Sequence, residues 1–117
     1  MSDIIRRDYR LVLASFGAGQ SETAAIGFRD FAAMGVSIGA TWTAASLGFL
    51  VATDIAGTYR PLYDAAGDLV EVAAAASKAF AVPDEVFAFP YVKLWSQTAG
   101  VAVNQAAPTT LELALKS

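Results

Sequence analysis

Residues 109–116, TTLELALK, alternate between large apolar side chains and small or polar ones: Leu111, Leu113 and Leu115 fall on one side, Thr110, Glu112, Ala114 and Lys116 on the other. A period of two belongs to a β-strand with one buried face, and a slip of one residue would turn all three leucines to water. The segment is therefore read as the last strand of a β-sheet. Residues 91–96, YVKLWS, alternate in the same way and predict a half-buried strand. Residues 9–16, YRLVLASF, are rich in β-formers and are closed by Gly17, Gly19, Gln20 and Ser21. Residues 47–53 form a compact apolar run that suits a buried strand, and residues 34–38 alternate with small residues. A further strand is expected over 23–31, where alanine weakens the pattern.

Turns punctuate these runs. Residues 54–57 and 64–67 both read Asp-x-x-Gly, the pattern of a type I turn in which Asp caps its own backbone and Gly takes the following left-handed position. Between them residues 59–63 are short and carry Pro61, as an edge strand or bulge would. Over 68–80 two readings compete. Asp68 with Glu71 resembles a capping pair and four consecutive alanines favour helix, whereas Leu69, Val70 and Val72 suit the second arm of a hairpin turning at 64–67. The hairpin is preferred because its turn sits between two β-rich arms, which leaves the alanines as a loose arm or loop. Residues 83–87 predict one helical turn with Pro83 near its start. Short strands and turns at this spacing give an all-β fold: a single antiparallel β-sandwich, jelly-roll-like, over 9–117, preceded by an N-terminal arm over 1–8.

Composition narrows the chemistry. The chain has 117 residues, 56% hydrophobic and 16% charged, with a net charge of −3 and neither Cys nor His. One core fits that length. The acidic balance argues against a nucleic-acid partner, which needs clustered Lys and Arg. Without His and Cys there is no zinc site of the usual kind, no thiol nucleophile and no imidazole base, so neither a cofactor nor enzyme activity is expected. The start, MSDIIRRDYRLVL, is charged where an export signal would be apolar. Residues 31–53 lack charge and are long enough to cross a bilayer, but Gly35, Gly39 and Gly48 dilute the run and Trp42 sits in its middle; no membrane association is expected.

Each remaining candidate has two readings. Asp54, Asp64 and Asp68 could ligate Ca²⁺, yet their placement is that of turn residues. Asp84 and Glu85 are adjacent in one turn, unlike hydrolytic carboxylates facing each other across a cleft. Trp42, Tyr59, Tyr63, Tyr91 and Trp95 could stack a sugar, or fill a core; exposure of Trp42, Tyr59 and Trp95 separates the two. Asn104 and Gln105 could read a ligand through their amides, or tie a loop to the next strand. Arg6, Arg7 and Arg10 form the one basic cluster, either a solvated arm or a contact with an acidic shell or neighbouring subunit.

The succession WTAASLGF (42–49), LYDAAGD (62–68), YVKLWS (91–96) and VNQAAPTTLELAL (103–115) resembles small β-sandwich proteins of tailed bacteriophages, prophages and related particles. The resemblance covers residues 40–115. Those relatives carry a tight Asp-Gly turn where this chain has the longer 54–57. What the resemblance implies is a non-enzymatic virion protein, assembled in the host bacterial cytoplasm, that decorates or cements the head and has the major capsid protein or other virion proteins as partners. A tail-associated or carbohydrate-binding module on the same fold is the alternative. The apolar composition adds an expectation of a homo-oligomer, a trimer or pentamer.

Overall fold

A computed structural model of the chain describes residues 9–28 and 31–117. Among the described residues ten strands form: β1 (Tyr9–Phe16), β2 (Ile26–Gly27), β3 (Ala33–Ile38), β4 (Ser46–Ala52), β5 (Arg60–Pro61), β6 (Glu71–Val72), β7 (Ala79–Ala81), β8 (Tyr91–Thr98), β9 (Val101–Ala102) and β10 (Thr109–Lys116). A single 3₁₀ turn, Asp84–Ala88, joins β7 to β8 where one helical turn is expected. Two antiparallel sheets face each other, a four-stranded one in the order β1-β10-β3-β7 and a six-stranded one along β2-β8-β4-β5, with β6 beside β4 and β9 beside β8. The pairs β4–β5, β3–β7, β2–β8 and β1–β10 nest like one long hairpin rolled onto itself. That nesting is a jelly roll.

β10 keeps the expected alternation: Thr109, Leu111, Leu113 and Leu115 are buried and the residues between them exposed. It is last in sequence but central in space, with β1 on one side and β3 on the other. Phe16, Val36, Leu47, Phe49, Val86, Val92 and Leu94 complete a core between the sheets. Stretch 31–53, the rival membrane span, is broken into β3 and β4, and no helix among the described residues is long and apolar enough to cross a membrane.

The strand expected over 23–31 shrinks to Ile26–Gly27. Its ladder is replaced at Thr23, whose backbone N–H donates to the Leu94 carbonyl while its hydroxyl accepts the Leu94 N–H at 3.0 Å. Both Asp-x-x-Gly turns close, through Gly57 N–H to the Asp54 carbonyl and Gly67 N–H to the Asp64 carbonyl. Only Gly67 adopts the expected left-handed backbone, at φ +87°. At Gly57 the need for glycine is steric instead, since a Cβ would stand 3.0 Å from the Asp54 carbonyl oxygen.

Residues 68–80 contain no helix. Val70 N–H donates to the Leu62 carbonyl and Tyr63 bridges Leu69, so the hairpin reading holds locally. It ends sooner than expected, because Glu71 and Val72 leave β5 and pair with β4. β5 and β6 thus lie in line along one edge of β4, and residues 62–70 loop out between them. The alanines over 73–76 then cross to the other sheet, where a turn at Ser77, φ +61°, leads into β7.

Candidate assembly surface

Three of the polar candidates, Gln105, Asp64 and Asp54, use their side chains to hold the chain. Gln105 is buried and links three segments: its Oε1 accepts from Thr43 N–H at 2.8 Å, and its Nε2 donates to the Thr43 carbonyl at 3.1 Å and to Ser96 Oγ at 2.9 Å. Its backbone bonds Gly19 and Gln20 as well. This is the tying role expected at that position. Asp64 Oδ1 accepts from the Ala66 and Asp68 backbones, both at 2.9 Å, and Asp54 Oδ1 accepts from Ala56 N–H at 3.4 Å. Asp84 and Glu85 stand exposed and adjacent in the 3₁₀ turn. Among the described residues no cluster of three or more acidic side chains could hold a metal.

Trp42 and Trp95 are packed against the protein, whereas Tyr63 is 55% exposed. Trp42 packs on the core, edge-on to Phe16 at 5.7 Å, with Nε1 donating to the Ala45 carbonyl. Trp95 points to the outside of the six-stranded sheet yet is only 8% exposed. Its ring lies over Gly48 in β4, where a Cβ would stand 3.0 Å from Trp95 Cε3. Next to it Gln97 Nε2 donates to Glu71 Oε1 at 2.8 Å, and Gln97 Oε1 accepts from Gly100 N–H. Lys93 Nζ sits 4.5 Å from the centre of the Tyr59 ring and 3.9 Å from Glu22. The Tyr59 hydroxyl donates to the Ile55 carbonyl; burial, then the neighbouring Tyr91 and Asp54, raise its pKa above the ordinary phenol value. The outside of this sheet is thus largely covered by the chain itself. Alternation in β8 stops at Leu94 for that reason, and residues 94–97 are buried on both faces.

Among the described residues, the outside of the four-stranded sheet is left bare. In β1 the side chains of Ala14 and Phe16 enter the core, so Tyr9, Leu11, Leu13 and Ser15 must face out. Tyr9 is 73% exposed, Leu11 61% and Leu13 62%. In register across the sheet, Leu11 is followed by Ala114, Gly35 and Ala81, and Leu13 by Glu112, Ser37 and Ala79. A ridge of leucines therefore runs along the β1 edge beside a shallow, mainly apolar trough of about 430 Å³ floored by β3, β7 and β10. Large adjacent apolar side chains exposed together mark contact surfaces. Leu11 and Leu13 are surface residues that no turn or charge marks in the sequence. Their signal was the lack of alternation in YRLVLASF, which is apolar on both sides where a half-buried strand would be polar on one.

Arg10 lies exposed at the start of β1, and Lys116 pairs with Tyr9 at the same end of the sheet. Arg6 and Arg7 lie outside the described residues. At the opposite end of β1 an open polar groove of about 650 Å³ is lined by Ser15, Gln20, Glu22, Thr23 and Asn104. No protein family, curated protein or solved structure matches the chain.

Proposed function

We propose that the protein is a non-enzymatic structural component of a tailed phage or phage-like particle, seated on the head, where it decorates and stabilises the capsid. The observation that carries this reading is the bare outer face of the four-stranded sheet, on which Tyr9, Leu11 and Leu13 stand exposed on an otherwise rigid sandwich. A side chain of that size gains roughly 1.5–3 kcal/mol on full burial, so such a face rewards contact with another protein surface. Asp64, Thr23, Gln97 and Gln105 are engaged in turns and loop ties, which supports a structural role for these polar groups. The resemblance of the segment order to small β-sandwich proteins of tailed phages and related particles supplies the setting. Arg10, with Arg6 and Arg7 before it in sequence, gives a basic approach to an acidic shell.

Quantitative mass spectrometry of purified particles tests the proposal. The expected result is a copy number matching the shell lattice, reduced when Arg6, Arg7 and Arg10 are together replaced by Glu. A ring-sized copy number would move the protein to the tail, and its absence from particles would overturn the reading.

A further inference from the structure

We propose that the bare outer face of the four-stranded sheet binds the same face of a second copy, through a two-fold axis running along the strands between β10 and β3. The inference deepens the assembly reading and rests on it for the role of this face, but it is tested without particles, so either can fail alone.

The face is complementary to itself. A two-fold axis parallel to the strands reverses the order of strands while keeping each position along them, so β1 lies over the partner's β7 and β10 over the partner's β3. In one row Leu11 then meets the partner's Ala81 and Ala114 meets the partner's Gly35; in the next, Leu13 meets the partner's Ala79 and Glu112 meets the partner's Ser37. Each large side chain falls on a small one, as two stacked sheets at ~10 Å require. The carboxylate of Glu112 faces a hydroxyl that can donate to it, with the partner's Glu112 one strand spacing, ~4.8 Å, to the side. An axis across the strands would instead stack the leucine ridge on the partner's ridge and leave both troughs empty. The axis along the strands is the one that fills space.

Size agrees with this. At ~4.8 Å between strands and ~3.3 Å per residue, the four strands present about 400 Å² per copy in projection. Relief from Tyr9, Leu11 and Leu13 raises the buried total for the pair to about 1,000 Å², the lower bound for a specific interface. Isologous pairing also fixes an orientation. Because the axis follows the strands, β1 starts at the same end of both copies, and Arg10 and Lys116 of each copy gather there. The pair therefore carries Arg10 and Lys116 of both copies at one end, a two-fold arrangement in place of the trimer or pentamer that composition suggests.

Sedimentation and light scattering of the full chain provide the first test. A dimer mass at about 100 µM is expected, with at least a tenfold weaker association for Leu11→Asp and Leu13→Asp, both at exposed positions that leave the core intact. The chain has no cysteine, so a second test is free of background. Leu13→Cys and Ala79→Cys combined should be joined by a short bis-maleimide spanning the ~10 Å between stacked sheets, giving a covalent dimer, while Val101→Cys on the other sheet should not. A monomer at every concentration, a trimer or pentamer, a dimer indifferent to Leu11 and Leu13, or cross-linking through Val101→Cys would each overturn the proposal.

Discussion

The two sheets turn opposite kinds of surface outward. On the six-stranded sheet the outward Leu50 and Trp95 are buried, at 7% and 8% exposure, and the Glu71–Gln97 pair and the Lys93–Tyr59 contact lie on the same side. On the four-stranded sheet none of the described residues covers Leu11 and Leu13, and small residues with Glu112 fill much of the rest of the face. Both faces carry large apolar side chains; among the described residues only one is covered from within. An apolar sheet face that a chain covers with its own loops contributes to its own stability, and one left bare contributes to a complex.

Mutation can break or sharpen this contrast. The largest effect is expected inside β10: Leu113→Ala, at the centre of the core, should destabilise the isolated protein by about 4 kcal/mol, while Glu112→Ala on the bare face stays within about 0.5 kcal/mol. Equal losses in chemical denaturation would refute the register. Next comes the contrast between the outer faces themselves. Trp95→Ala should cost about 3 kcal/mol, at the low end for a buried tryptophan because water can reach part of the vacated space, whereas Leu13→Ala should leave the monomer's melt nearly unchanged. A large loss at Leu13 in the monomer would mean that the bare face is part of the fold.

The smallest effect depends on pH. The raised pKa of Tyr59, from burial first and then from Tyr91 and Asp54, means that the folded chain holds the phenol proton at pH values where the unfolded chain has released it. Stability from this group is therefore complete below about pH 10 and declines as the pH rises through the folded value. Thermal melts from about pH 9 to 11 should show a steeper loss for the native chain than for Tyr59→Phe. Parallel curves would remove Tyr59 from the covering layer.

The all-β class was legible because β1, β3, β4 and β10 are long or regular enough to show their period, and the turns at 54–57 and 64–67 separate the elements between them. What escaped was set by contacts between distant segments. The strand over 23–31 gave way because the Thr23 hydroxyl took over part of the ladder to Leu94. Helix propensity over 73–76 lost because the flanks are pinned, β6 to β4 and β7 to β3, on opposite sheets. The candidate surface was hidden for a related reason. With Leu11, Val12, Leu13 and Ala14 all apolar, the strand alone does not say which parity is inward, and that choice came from Phe16 and Ala14 reaching the core. Gln105, by contrast, did what its place before the last strand suggested, and Arg10 was found exposed at the start of β1.

The looped-out hairpin at 62–70 has a consequence for how this chain tolerates insertion. Its two ends return to the same edge of β4 through Pro61 and Glu71, Leu62 and Val70 anchor it in the core, and its tip at Ala65 and Ala66 is exposed. Closing a longer loop costs only about 0.6 kcal/mol for each doubling of its length. Foreign sequence spliced between Ala65 and Ala66 would therefore be carried outward on a stem that already closes on itself, leaving the register of β4 untouched. The tip is a ready cargo port, on a different sheet from the leucine ridge.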